Sequence, residues 1–315
     1  MTSALCLVTG GAGFIGSNLV HRLVADGHAV RVLDNLSTGR IENLSGLEGR
    51  VDWMQGDLRC AETVRTAMKG VHHVFHLAAI ASVQASVEDP VSTHEVNLTG
   101  TLHALMAARE AGVQTFVLSS SSAVYGDSPV MPKTETMLPE PLTGYALSKL
   151  AGEHYGHIFH ALHGLGFFAL RYFNVFGPRQ NPASHYAAVI PLFIRACLSG
   201  QAPLIYGDGQ QTRDFTYVED IVEANLCCLR APATAAGSVC NVAYGGKITI
   251  RELAETIARL VGVAVAPQFL PARPGDIRDS QADSSRARQV LGWNPSYTFE
   301  KGLRQTVEWF HAHGG

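Results

Sequence analysis

Tyr145 and Lys149 stand four residues apart in Tyr145-Ala-Leu-Ser-Lys149. On a helix that spacing puts both side chains on one face. An ammonium beside a phenol favours the phenolate and lowers its pKa, so the pair predicts a tyrosine base working near neutral pH. The pair alone is a common surface motif and carries weight only beside other signals. One such signal is the run Ser119 to Ser122, which ends an apolar, strand-like segment. A hydroxyl there can share a proton with the tyrosine and a bound alcohol. Serines that only line a turn are the alternative.

The strongest local signal is Leu7-Val-Thr-Gly-Gly-Ala-Gly-Phe-Ile-Gly-Ser17. It holds GxGxxG as Gly11, Gly13 and Gly16, and GxxGxxG as Gly10, Gly13 and Gly16. The glycines permit a tight turn and close approach of backbone to a pyrophosphate, and the helix that follows offers free N–H groups and a positive dipole end. Asp34 closes the next apolar run about 20 residues on, where a carboxylate accepts from an adenosine ribose and repels a 2′-phosphate. The expected cofactor is therefore NAD rather than NADP. Asp57, in Gln55-Gly-Asp-Leu58, either faces the adenine or caps the helix after it. Two later motifs, Tyr206-Gly-Asp-Gly-Gln-Gln-Thr-Arg-Asp-Phe215 and Arg273-Pro-Gly-Asp276, each bring an arginine that can clamp phosphates.

These residues need a scaffold. Near-continuous apolar runs at Leu5 to Val8, Val30 to Leu33, Val74 to Leu77, Phe116 to Leu118 and Phe167 to Leu170 read as strands buried on both faces. Helix-like segments near 14–25, 94–111 and 143–164 alternate with them. The alternation predicts an α/β fold with a doubly wound parallel sheet, a Rossmann arrangement, and a smaller C-terminal substrate-binding region. After about residue 172 the pattern loosens around Pro178, Pro182, Pro191 and Pro203. It turns helix-like again over Thr216 to Leu229 and strand-like over Val239 to Val242. The expected division is a cofactor domain of residues 1–172 plus 212–243 and a substrate-binding domain of 173–211 plus 244–315.

The 315 residues are 46% hydrophobic and 16% charged, with a formal net charge of −3. That balance gives no footprint for nucleic acid, and no run approaches the roughly 18 apolar residues of a membrane helix. The N-terminus lacks a basic leader, and Cys6, Cys60, Cys197, Cys227, Cys228 and Cys240 show no CxxC spacing. A cytoplasmic protein with buried, reduced thiols is expected. His154, His157, His160 and His163 recur every third residue, which suits a solvated or subunit-facing stripe better than a metal site. His72, His73 and His76 are expected to serve packing.

Thr9-Gly-Gly-Ala-Gly-Phe-Ile-Gly16, Asp34-Asn-Leu-Ser-Thr-Gly39, Gly56-Asp-Leu58, His76-Leu-Ala-Ala79, Ser119 to Gly126, Tyr145 with Lys149, and Arg171-Tyr-Phe-Asn-Val-Phe-Gly177 occur in that order. With them the whole chain resembles the extended short-chain dehydrogenase/reductase family, and within it the UDP-glucose and UDP-N-acetylglucosamine 4-epimerases. The resemblance implies that Tyr145 is the base, Lys149 its partner and Ser121 the catalytic hydroxyl. It implies cofactor contacts from Gly10, Gly13, Phe14, Ile15 and Gly16, from Asp34, Asn35, Ser37, Thr38 and Gly39, from Asp57 and Leu58, and from Leu77, Ala78, Ala79, Asn97 and Ser119. Phe173 would pack near the nicotinamide. Asn174, Arg213 and Arg273 would hold the nucleotide diphosphate, with Ser82, Ser122, Val189, Tyr206, Asp276 and Ser280 around the substrate. A homodimer paired through the 94–111 and 143–164 helices is implied by the same analogy.

Dehydratases of the family carry acids just after the catalytic Thr, and decarboxylases a Glu two places on. Here Ser122, Ala123 and Val124 follow Ser121, so both chemistries are disfavoured. Oxidation at C4 and return of the hydride to the other face remain, with UDP expected over dTDP. Ala81 replaces a lysine common in the simplest UDP-galactose epimerases. Ser280, four after Asp276, replaces a bulky tyrosine, which would open space for an N-acetyl group. A UDP-glucuronate 4-epimerase is the alternative enzyme, and a non-catalytic NAD-sensing protein the remote one.

Overall fold

The structure, a computed structural model, describes residues 4–182, 188–272 and 278–314. Its first half alternates strand and helix. The strands are β1 (Leu5–Thr9), β2 (Ala29–Asp34), β3 (Val51–Gln55), β4 (His73–His76), β5 (Thr115–Ser121) and β6 (Gly166–Tyr172). Between them run α1 (Phe14–Ala25), α2 (Ala61–Met68), α3 (Val83–Glu88), α4 (Pro90–His94), α5 (Gly100–Glu110) and α6 (Gly144–His163). A π-turn, Glu95–Thr99, joins α4 to α5. The second half adds β7 (Val175–Phe176), β8 (Leu204–Tyr206), β9 (Thr212–Arg213), β10 (Thr216–Tyr217), β11 (Ser238–Val242), β12 (Ile248–Thr249) and β13 (Gln268–Leu270). Its helices are α7 (Val189–Leu198), α8 (Val218–Arg230), α9 (Ile250–Val261), α10 (Ser285–Leu291) and α11 (Phe299–Ala312).

Seven strands form one parallel sheet in the order β3-β2-β1-β4-β5-β6-β11. The order reverses between β1 and β4, and ligands of such sheets bind beyond the carboxyl ends of the strands at that point. Alternate residues feed opposite layers. Cys6, Val8, Val117, Phe168 and Leu170 pack with α1 and α8, while Leu7, Phe116, Leu118, Phe167 and Ala169 pack with α2 and α5. Burial on both faces explains why these strands read as continuous apolar runs.

A third cluster joins Phe176, Phe193, Ile194, Phe215, Leu253, Ile257, Leu303 and Phe310 around α7, α9 and α11. Phe215 and Tyr217 belong to this cluster, because their rings pack on Phe176 at 6.2 and 5.6 Å. The chain therefore returns to the sheet at α8, not at residue 212. Conversely α10 and Trp293 pack on the sheet layer, since the Trp293 indole donates to the Asp220 carbonyl at 2.9 Å. Both observations move the expected domain boundaries. Thr216 and Tyr217, read as the start of a helix, are the strand β10.

Five cysteines are buried and Cys60 is exposed; all six are free thiols. Burial pushes the Cys6 and Cys240 thiols up to about 12. Among the described residues no helix is long and apolar enough to cross a membrane, and no group of three or more His, Cys, Asp or Glu is placed to hold a metal.

Candidate active site

A cavity of about 840 Å³ opens at the switch point. Gly10 ends β1 with φ +70°, and a Cβ there would stand 2.7 Å from the Ala78 amide nitrogen at the end of β4. Only glycine lets these two strand ends close together. A Cβ on Gly16 would meet the Gly10 carbonyl oxygen at 2.1 Å, so Gly16 seats α1 against the loop. Gly13 is the N-cap of α1, and no side chain caps it. The uncapped first turn, with Gly13, Phe14, Ile15 and Gly16, lines the cavity. It is a twelve-residue helix, and its N-terminus is suited to an anion.

Asp34 stands at the end of β2 and is 8% exposed. Its carboxylate accepts from the Ala12 N–H at 3.0 Å and the Leu36 N–H at 2.8 Å. It therefore ties the glycine loop to the 34–40 turn while bordering the cavity. Asn35, Ser37 and Thr38 line the cavity too, whereas Gly39 packs behind them against Ala12 and Asp34. Asp57 and Leu58 line the same end. The helix cap expected of Asp57 falls to Cys60. Asp57 instead makes a bidentate pair with Arg59, at 3.0 and 2.9 Å, and accepts from Asn35 at 2.9 Å. These bonds hold its carboxyl well below the usual carboxylate range.

Beyond β4, Leu77, Ala78 and Ala79 line the cavity. They are held by a buried relay whose proton order can be read from its ends. Thr101 donates its hydroxyl to the Asn97 carbonyl at 2.5 Å, so its oxygen must accept from His76 Nε2–H at 3.0 Å. His76 Nδ1 then accepts from the Thr9 hydroxyl at 2.9 Å, and the Ala78 N–H donates to Thr9 Oγ1 at 3.3 Å. Burial pushes His76 down to about 3, with the Lys149 charge acting the same way. The histidine is neutral and structural, but as a hydrogen-bonding link rather than the packing residue expected. Asn97 does not line the cavity; it grips Ile80 from below. The π-turn that carries Asn97 is a geometry often found at functional sites.

The cavity floor gathers Ser119, Ser120, Ser121, Ser122, Tyr145 and Lys149. The serines end β5. Thr143 caps α6, accepting from the Ala146 N–H at 3.2 Å, and this cap sets Tyr145 in the first turn. Lys149, 6% exposed, donates to the Ser119 carbonyl at 2.7 Å. Its Nζ lies 5.9 Å from the centre of the Tyr145 ring. Burial lowers Lys149 to about 8, opposed by Glu153. Burial raises the Tyr145 phenol above its ordinary value, opposed by a hydrogen bond with Ser121.

Asn174 lines the far wall with φ +32°. Its amide donates to the Asp214 carbonyl at 3.1 Å and to Ser280 Oγ at 3.4 Å. Phe173 does not line the cavity. It packs with Val124, Tyr125 and Ala243, and Tyr172 lines the wall in its place. Ser82 caps α3 between Ala81 and Val83, which line the cavity, and is not itself part of the lining. Val189 opens α7 next to Ala188, which lines the cavity. Tyr206 and Arg213 lie outside its lining; Arg213 donates to the Thr212 and Arg278 carbonyls at 2.9 and 3.4 Å. Arg273 and Asp276 lie outside the described residues. The sequence reading missed Arg40, Arg59, Arg179 and Asn181, which also line the cavity. Arg179, at φ +68°, is held by Asn18 Oδ1 at 2.8 Å. Its place just after Gly177-Pro178 was the available signal.

The family model for the NAD-dependent epimerase/dehydratase family matches residues 6–243. A UDP-glucose 4-epimerase of Mycolicibacterium smegmatis is 43% identical over 309 residues, covering 96% of this chain and 97% of the relative. A UDP-N-acetylglucosamine 4-epimerase of Methanobrevibacter ruminantium, solved in complex with UDP-N-acetylmuramic acid, is 42% identical with a TM-score of 0.94, covering 99% and 100% of the two chains. A UDP-glucose 4-epimerase of Thermus thermophilus, solved in complex with NAD, is 41% identical with a TM-score of 0.87, covering 98% and 99%.

Proposed function

The chain belongs to the NAD-dependent epimerase/dehydratase family, and from that premise we propose that it is an NAD-dependent 4-epimerase of a UDP-hexose. The observation that carries this reading is the convergence of Ser121, Tyr145 and Lys149 on one cavity floor, between the uncapped turn of α1 and the wall that Asn174 lines. The cavity fits a dinucleotide at its α1 end. Gly13, Phe14 and Ile15 would hold the pyrophosphate, and Asp34 with Asn35 the adenosine ribose. The Asp34 carboxylate, two of whose lone pairs are spent on backbone, disfavours a 2′-phosphate by its charge.

Bound NAD+ supplies the hydride acceptor for C4 and the positive charge that brings a nearby phenol toward phenolate. Tyr145 takes the proton of the sugar 4-hydroxyl, with Ser121 bridging phenol and substrate oxygen. Lys149 fixes the tyrosine and adds its charge. Oxidation at C4 would give a 4-keto sugar, and Tyr145 would return the proton to its 4-oxygen as the sugar is reduced on the other face. Asn174 would hold the nucleotide end while the sugar turns, and Arg273, with Arg213 once it leaves the Thr212 carbonyl, would clamp the diphosphate, with Asp276 nearby on the substrate side. Ser280 lies outside the cavity lining, hydrogen-bonded to Asn174; its small side chain would leave room near the sugar's C2 for an N-acetyl group, so UDP-GlcNAc/UDP-GalNAc would join UDP-glucose/UDP-galactose as substrates. Exposed Met106, Leu147, Ile158 and Leu162 on α5 and α6 support a homodimer through those helices.

Proton NMR of the purified protein with UDP-glucose, UDP-N-acetylglucosamine or UDP-glucuronate, without added NAD, tests the reading. A galacto-configured product is expected in the first two tubes. No product in any tube, even with NAD supplied, overturns it.

A further inference from the structure

One helical turn beyond Lys149 on α6 lies Glu153, 4% exposed. Its carboxylate is fully engaged. Arg171, on β6, donates Nε to Oε1 at 2.9 Å and Nη2 to Oε2 at 2.7 Å. Ser120, on β5, donates its hydroxyl to Oε1. The ion pair is 5% exposed on both sides. Arg171 in turn lies 4.8 Å over the Tyr125 ring, and its Nη1 has no hydrogen-bond partner. Ser120 and Arg171 are register partners across β5 and β6. One carboxylate thus ties the helix that bears Tyr145 and Lys149 to the two strands whose ends line the cavity.

A buried ion pair is a poor device for stability alone, since desolvation cancels most of its attraction. Its position suggests a different use. The groups facing Lys149 are Tyr145 and Glu153 on α6, His76 on β4, the Ser119 carbonyl on β5, and Arg171 on β6 across Glu153. His76 and Tyr145 are uncharged at neutral pH, and Arg171 carries the same sign as Lys149. Glu153 is the only anion of this group. Resting on the epimerase reading, we propose that Glu153 is a positioning residue: its anchored carboxylate is the counter-charge one helical turn from the buried Lys149 ammonium, which the Ser119 carbonyl holds near Tyr145.

Removing the carboxylate removes the support for the ammonium, so Lys149 loses its proton at lower pH. Glu153→Gln should move the alkaline limb of kcat to lower pH by about one unit, while Glu153→Asp restores the limb. Gln leaves Arg171 a lone buried cation, so Glu153→Gln/Arg171→Met is the companion variant that keeps the site neutral; it should shift the limb in the same direction. The Lys149 titration itself can be followed by NMR of lysine-labelled protein, because the chain has only five lysines; Lys149→Met assigns the resonance. That readout needs no turnover, so an inactive wild type would sink the epimerase reading and leave this test intact. An unshifted limb and an unshifted lysine titration in whichever variant folds overturn the proposal. So does failure of both charge-removing variants to fold, which would make the pair a structural cross-link only.

Discussion

Asn97 holds both backbone groups of Ile80: its Oδ1 accepts from the Ile80 N–H at 2.7 Å, and its Nδ2 donates to the Ile80 carbonyl at 3.1 Å. The same Nδ2 reaches Ser148 Oγ at 3.2 Å, and Ser148 donates to the Tyr145 carbonyl at 2.7 Å. A residue outside the cavity therefore couples the loop after β4 to the turn that carries the tyrosine. Asn97→Ala leaves part-buried backbone groups of Ile80 without this partner, at about 1 kcal/mol. NAD affinity by calorimetry should fall about tenfold, with Tm reduced by several degrees. Unchanged affinity would show that the loop holds its shape without this grip.

Tyr145→Phe keeps the ring and removes the proton carrier. Turnover should fall by at least 10²–10⁴-fold, the usual worth of a positioned acid–base group. NAD binding, measured by fluorescence titration, should stay within about twofold. Loss of NAD along with activity would assign the phenol a structural role.

Ser280 donates its N–H to the Thr212 carbonyl at 3.2 Å and faces Asn174. Ser280→Tyr should fill the space it leaves and cut kcat/KM for N-acetylated sugars about tenfold or more, with plain hexoses little affected; one misfit group of this size is worth about 1–3 kcal/mol. Equal losses for both classes, in parallel assays, would sink the pocket argument.

His76 sets a pH dependence of stability. Its folded pKa of about 3 lies below the unfolded value of 6.5. Between those values the unfolded chain binds a proton that the folded chain refuses, so stability falls as pH drops through that window. The contribution approaches 1.4 kcal/mol per pH unit well inside it. Urea unfolding between pH 7 and 4 should show this slope, and His76→Asn should flatten it. An identical slope in the variant would place the titration elsewhere.

Much of this was legible in the chain itself. Apolar runs buried on both faces announce a parallel sheet, and Gly10, Gly13 and Gly16 announce where it binds, because their reason is local backbone geometry. Tertiary facts were harder to see. Asn97 reads as one more polar helix residue until the π-turn aims it at Ile80. Phe173 and Tyr172 are neighbours in an apolar strand end, and only the pleat decides which one meets the cavity. The burial that raises the Tyr145 phenol is likewise invisible in a spacing of four residues. Thr216 and Tyr217 fit a helix pattern in sequence, yet pairing with Val175 and Phe176 draws them into a strand.

Cys60 is the exposed thiol of a chain whose other five cysteines are buried, and it follows Arg59, which lines the cavity. Thr63 lowers its pKa through a hydrogen bond. A maleimide dye should therefore attach at one place without any cysteine being engineered out. That place lies beside the Asp57 end of the cavity, so the native protein already carries the handle for an optical reporter of cofactor occupancy.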